Sequence, residues 1–170
     1  SSLSSSAFML VWLDCRQQKE CPATLSRYGQ NSPAMSYIER IRALGRDANP
    51  FFTLMGVELG TMEKGSARIR MPVRPDMMNG EDWLQGGIFT ALADEAMVLA
   101  IYPLLDPGER IATISETTSF LAGAQGGVLI AEGTVVKRGK RIIFAEGEVF
   151  SEGGDRALAR CSAAYAVMRG

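Results

Sequence analysis

The chain contains no histidine in its 170 residues, and that absence excludes more chemistry than any motif includes. Without imidazole there is no Ser-His-Asp or Cys-His nucleophile pair, no His-containing zinc site and no His general base. Acid-base work falls to carboxylates, Lys, Tyr or Cys. Cysteine is scarce too: Cys15, Cys21 and Cys161 cannot all pair within one chain, so a reducing cytoplasm is the simpler expectation than a disulfide framework. Near the start the longest apolar run, Ala7 to Leu13, falls far short of the ~20 residues that span a bilayer. It is also a poor match to a signal peptide, because no basic residue precedes it and no small-x-small site follows closely. Charge is balanced, 18 Lys+Arg against 19 Asp+Glu, which gives no global pull toward polyanions. Neither nucleic acid nor a membrane is an expected partner.

What is present, 46% hydrophobic and 22% charged residues at this length, suits one soluble globular domain with a sizeable core. Residues 1–34 read differently from the rest: SSLSSS, an apolar septet, then a polar stretch with Pro22 and Pro33 and no sustained period. We expect them to be an N-terminal extension, cloning-derived or translated from upstream, with the domain covering 35–170. The alternative is a native arm that packs on a partner.

From Met35 the pattern becomes orderly. Tyr37, Ile38, Ile41 and Leu44 mark one face of a short helix ending near Gly45, and Asn49-Pro50 is read as a break. Val57, Leu59 and Met62 precede a turn at Lys64-Gly65. Ala67, Ile69 and Met71 then alternate with Arg68 and Arg70, so strands are expected over 57–63 and 66–73. A polar loop runs from Arg74 to Leu84. Gly86-Gly87 opens a helix over 86–101 that is apolar on nearly every side, and Pro103 ends it. Strands are expected over 110–121, 128–138, 141–151 and 156–168, separated by Gly-rich or charged turns. The order predicts an α+β fold, an antiparallel sheet wrapped around a long helix that a partner also covers.

Asp94-Glu95 in the middle of that helix stands out, because buried charge costs several kcal/mol unless it is paired or used. One reading is an ion pair with a neighbouring Arg or a water-filled groove. The other is a carboxylate of raised pKa acting as general base or nucleophile. Adjacent helical residues point about 100° apart, so only one of the two should face a groove. At the start of the same helix, Gln85-Gly86-Gly87 offers unpaired backbone N–H groups to an anion or a developing oxyanion. Eight residues of helix separate Gly86 from Asp94 by ~12 Å. If both act on one carbon, they come from two subunits related by a two-fold axis.

Asn79-Gly80, Gln85-Gly86-Gly87 and Leu92-Ala93-Asp94 together resemble the N-G-x(4)-H-G-G-x(4)-L-A-D pattern of the PaaI-like hot-dog thioesterases, with every spacing kept. Ser119-Phe120-Leu121 and the basic turn Val136 to Arg141 are looser matches, and the resemblance runs from about Asn49 to Gly170. It implies a hot-dog fold and an acyl-CoA hydrolase without cofactor or metal, working as a homodimer or a dimer of dimers. Gly86 would donate its N–H to the thioester oxygen while Asp94 of the other subunit attacks or activates water. Asn79 would position that water or the carboxylate, Thr113 would line the same pocket, and Gly87 and Phe120 would contact substrate. Lys137, Arg138, Gly139, Lys140, Arg141 and Ile142 would meet the nucleotide and pantetheine end of CoA, the alternative being a solvated hairpin tip. Two departures stand out: Gln85 replaces the usual His, so it can hold the loop or donate to a carbonyl but not carry a proton, and Ala122-Gly123 stands where the family often has Arg-Pro. The missing His argues against the dehydratases of the same fold. A non-catalytic acyl-CoA or acyl-carrier binding protein is the competing reading.

Overall fold

Ser36 starts the first helix with a reciprocal cap: its hydroxyl accepts the Glu39 N–H, and the Glu39 carboxylate accepts the Ser36 N–H at 2.7 Å. The computed structural model describes residues 35–169, so the expectation for residues 1–34, with Cys15 and Cys21, lies outside the described residues. α1 (Tyr37–Leu44) ends at Gly45 as expected. Asn49-Pro50 is a correction, since it begins a second helix, α2 (Pro50–Met55). The Asn49 side chain accepts the Phe51 N–H at 3.0 Å, and Pro50 occupies the first helical position, where a missing N–H costs nothing. α2 buries Phe52 and Met55. The loop after residue 74 is likewise less polar than expected. It contains a 3₁₀ turn, Pro75–Met77, and buries Met77 and Leu84.

Six strands follow the expected order: β1 (Glu58–Glu63), β2 (Ser66–Pro72), β3 (Glu109–Phe120), β4 (Val128–Arg138), β5 (Ile142–Ser151) and β6 (Ala157–Arg169). They form one sheet in the order β1-β2-β4-β5-β6-β3, antiparallel throughout. In β2 the buried residues are Ala67, Ile69 and Met71, the alternation read from sequence. α3 (Gly86–Ile101) lies on the inner face and buries Phe89, Leu92, Ala93, Ala96, Met97, Leu99, Ala100 and Ile101. Its sequence through Leu104 is apolar enough to cross a bilayer by composition, but the helix packs into the sheet. The result is the expected hot-dog arrangement.

The closest approach of helix to sheet occurs at two facing glycines, Gly133 on β4 and Gly147 on β5. A Cβ on Gly133 would fall 2.3 Å from the Ala96 carbonyl and 2.5 Å from the Met97 nitrogen, whereas one on Gly147 would sit 3.2 Å from the Ala93 methyl. Backbone therefore rests on backbone, and no side-chain rotation can relieve an added methyl at 133. Gly133→Ala is expected to cost about 1–3 kcal/mol, the range for overpacking, and Gly147→Ala less. Thermal melts of the two variants check this, and a wild-type midpoint for Gly133→Ala would contradict the contact.

Candidate active site

β3 runs alongside α3 with matched spacing. Four helical residues advance ~6 Å and two strand residues advance nearly 7 Å, so alternate β3 positions meet every fourth α3 position. The Phe120 ring lies 3.5 Å from where a Cβ on Gly86 would be, and the Thr118 and Thr90 hydroxyls share a 2.9 Å hydrogen bond. One step further along, Glu116 stands within reach of the Asp94 charge. A bulge between Thr113 and Ser115 sets this face. It resets the alternation so that Glu116, Thr118 and Phe120 point toward the helix.

Asp94 Oδ1 accepts a hydrogen bond from Tyr165 Oη at 2.8 Å, and Tyr165 is fully buried on β6. No ion pair reaches Asp94 or Glu95 among the described residues, so the Arg partner considered from sequence is replaced by a phenol. Burial raises the Asp94 pKa and the Tyr165 hydrogen bond holds it back. Tyr165 is itself pushed far up, first by burial and then by Asp94, which keeps it a donor. Glu116 is pushed up to about 7 by burial and by the Asp94 charge. The Cys161 thiol, bonded to Thr118 at 3.2 Å, is also raised by burial, so it is no thiolate nucleophile near neutral pH. Glu95 points elsewhere, toward Tyr37, Asn49 and Tyr102, and burial with the Asp94 charge raises it to about 7. Asn49 Nδ2 donates one of its two hydrogens to Tyr37 Oη at 3.0 Å, and its amide partly offsets the rise at Glu95.

At the other end of α3, Gly86 is the first helical residue and Gln85 is the cap, in extended backbone and with no side-chain capping bond. The first N–H groups of a helix have no intrahelical acceptor. Those of Gly86 and Gly87 open beside a cleft of about 320 Å³ lined by Leu84, Gly86, Phe89, Phe120, Leu121, Ala122 and Gly123. The loop before it is held by backbone and by Asn79, whose Oδ1 accepts the N–H groups of Glu81 and Trp83 at 2.9 and 3.1 Å. Gln85 contributes its backbone N–H, donated to Met77 O at 3.0 Å. Its side chain is exposed and makes no hydrogen bond among the described residues, so Gln85 does not brace the loop through its amide. Trp83 accounts for the Ala122-Gly123 departure: a Cβ on Gly123 would fall 2.5 Å from its ring.

Residues 84–158, which include Gly86 and Asp94, match the family described as the thioesterase superfamily. The match covers less than half of the chain but includes the candidate site, and together with a hydrolase among the relatives it supports thioester hydrolysis. A 1,4-dihydroxy-2-naphthoyl-CoA hydrolase of Listeria monocytogenes is 26% identical over 86 residues, 51% of this chain and 70% of that protein. The solved structure of a thioesterase family protein from Silicibacter pomeroyi superposes with a TM-score of 0.71 at 23% identity, over 79% of this chain and 100% of that one. A Haemophilus influenzae thioesterase gives 0.68 at 18% identity, over 79% and 92%.

The remaining sequence-derived positions are dispersed. Thr113 lies opposite Tyr165 in the β3–β6 register, close to the Asp94 end. Residues 137–142 form the β4–β5 turn, closed by the Gly139 N–H donating to Ile142 O at 2.9 Å, and they sit past the C-terminal end of α3, away from Gly86 of the same chain. Arg138 is occupied there: it donates to Leu104 O at 3.0 Å and pairs with Glu109 at 2.9 Å and Asp106 at 3.4 Å. Lys137, Lys140, Arg141 and Ile142 are exposed, and Lys140 and Arg141 line a recess of about 620 Å³ with Arg169. Sequence reasoning missed Tyr165 and Glu116. An aromatic in a C-terminal strand signals only core, and Glu116 stands in a stretch without clear alternation.

Proposed function

We propose that the chain is an acyl-CoA thioesterase that hydrolyses an acyl- or aryl-CoA to the free acid and CoA, with each site shared between two subunits of a homodimer. One observation carries the reading: α3 bears a half-buried carboxylate at Asp94, without a cationic partner among the described residues, and open N–H groups at Gly86, ~12 Å apart by helix rise. That separation is too long for both to reach one carbonyl within a chain. Two antiparallel α3 helices about a two-fold axis would bring Gly86 of one subunit to Asp94 of the partner subunit. The free edge of β3 supports such pairing, because a twelve-residue edge strand with Ile114 and Phe120 each 56% exposed, followed by an equally exposed Leu121, is the kind that soluble proteins cover.

In this mechanism the Gly86 N–H polarises the thioester oxygen, and the apolar cleft beside it takes the acyl or aryl group against Phe120, with the Gly87 N–H next to that of Gly86. The Asp94 carboxylate either removes a proton from the attacking water or attacks the carbonyl carbon, expelling the CoA thiolate and leaving an anhydride that water cleaves. Both routes consume one water and release acid and thiol. Tyr165 orients Asp94, Thr113 lines the pocket, Asn79 fixes the loop ahead of Gly86, and Gln85 can donate to a carbonyl. Lys137, Lys140 and Arg141 suit CoA phosphates. The Listeria relative, an aryl-CoA hydrolase by name, agrees with that substrate class.

Subunit mixing tests the shared site. Asp94→Asn and Gly86→Pro homodimers should each be inactive, while an equimolar mixture after exchange should regain about one quarter of wild-type activity, since half the dimers are mixed and each has one intact site. No recovery from folded, exchanged dimers would remove the shared-site mechanism. Full binding of CoA esters without turnover by the wild type would leave a binding protein instead.

A further inference from the structure

We propose that Glu116 is a positioning residue of this site, a second carboxylate that holds one proton jointly with Asp94, so that during turnover Asp94 is ionised and Glu116 neutral. The inference rests on the thioesterase reading given above.

Glu116 reaches the site only through the β3 bulge, which places it opposite Ala163 on β6, two residues from Tyr165 and on the same face. The titratable groups facing it are Asp94 from α3 and Cys161 and Tyr165 from β6. No Lys or Arg pairs with it among the described residues. The nearby hydroxyls are committed, Tyr165 to Asp94 at 2.8 Å and Thr118 to Thr90 and Cys161 at 2.9 and 3.2 Å. Glu116 Oε1 is left buried without a hydrogen-bond partner. An ionised carboxylate in that position would have no counter-charge and only the Cys161 thiol, a weak donor, beside it, whereas the neutral acid carries no charge to compensate. The asymmetry assigns the proton: Asp94 has the Tyr165 donor, so it ionises first, and Glu116 follows at about 7 because burial and then the Asp94 charge oppose it.

The chemistry gives the neutral form a purpose. Attack on a thioester drives negative charge onto the carbonyl oxygen, and one carboxylate charge is already required to attack or to deprotonate water. A second charge beside it would repel the developing oxyanion in a poorly solvated site. Turnover therefore needs Asp94 ionised and Glu116 protonated, which confines it to the window between the two ionisations.

The experiment is the pH dependence of kcat for the full chain from about pH 5 to 9, using the faster of benzoyl-CoA and octanoyl-CoA and following thioester absorbance directly. Wild type should show a bell with its alkaline limb near pH 7. Glu116→Gln should keep the acid limb and lose the alkaline one, so that at pH 8 it retains about 10-fold more of its optimal rate than wild type does. A purely structural role would lower activity or dimer content without removing a limb. If Glu116→Gln does not remain a folded dimer by sizing and circular dichroism, Glu116→Asp carries the test, with a displaced limb in support and an unmoved one against. A wild-type rate that is flat or rising through pH 7, or an alkaline limb unchanged in Glu116→Gln, overturns the proposal. Asp94→Asn measured in parallel separates the two failures: full activity there sinks the thioesterase mechanism itself, whereas an inactive Asp94→Asn beside an unmoved limb sinks only the role of Glu116.

Discussion

Asp94→Asn is expected to lower kcat by at least about 10²-fold, the smaller end of what a positioned base contributes, with KM and melting temperature close to wild type. The substitution is nearly isosteric, and the asparagine oxygen can still accept the Tyr165 hydroxyl, so the 2.8 Å contact that orients the side chain survives. Only the negative charge is lost. Glu95→Gln is the matched control, because Glu95 faces Tyr37, Asn49 and Tyr102 on the opposite flank of α3. It should change stability more than turnover. Steady-state kinetics and thermal melts on both variants decide the matter, and a larger kcat loss for Glu95→Gln would mean that the carboxylates exchange roles.

Gly86→Pro should cost a further 10²–10³-fold in kcat, the usual effect of deleting one oxyanion donor. It removes the proposed donor and little else. Position 86 is the first residue of α3, where proline is favoured, and Gln85 before it already has the extended backbone that a following proline requires, with φ −58° and ψ 129°. Gly86→Ala is the control. Its methyl would meet the Phe120 ring at 3.5 Å, an ordinary contact, and it keeps the N–H. Folded Gly86→Pro protein with unchanged kcat would remove this group from the mechanism, and equal losses in both variants would point to the cleft wall instead of the donor.

Much of this fold is legible in the sequence wherever burial is one-sided or complete. Ala67, Ile69 and Met71 alternate because only one face of β2 meets the core, and α3 is apolar on all sides because sheet and neighbours enclose it. Asp94 is legible for the same reason, as a charge where the pattern allows none. Proline misleads at residue 50, since it both breaks helices and starts them, and only the Asn49 capping bond separates the cases. β3 defeats pattern reading for a different reason. Ile111, Thr113, Ser115 and Thr117 keep a regular alternation on paper, both faces carry hydroxyls, and nothing apolar marks the point where the bulge shifts the phase. Glu116 is therefore assigned to no face until the β6 register is known. Tyr165 is 71 residues from Asp94, and no local spacing joins them.

The backbone contact of α3 with Gly133 makes the helix a fixed ruler. A helix seated on side chains can slide or roll by repacking them, but one whose own peptide groups rest on the sheet has no such slack. The spacing of Gly86 from Asp94 is then held by peptide geometry, independent of whatever lines the cleft. Residues 84, 89, 120 and 121 can reshape the cleft while the Gly86–Asp94 spacing within each subunit stays the same, so in the proposed shared site each subunit presents its two groups at a fixed separation, and selectivity can drift without disturbing it.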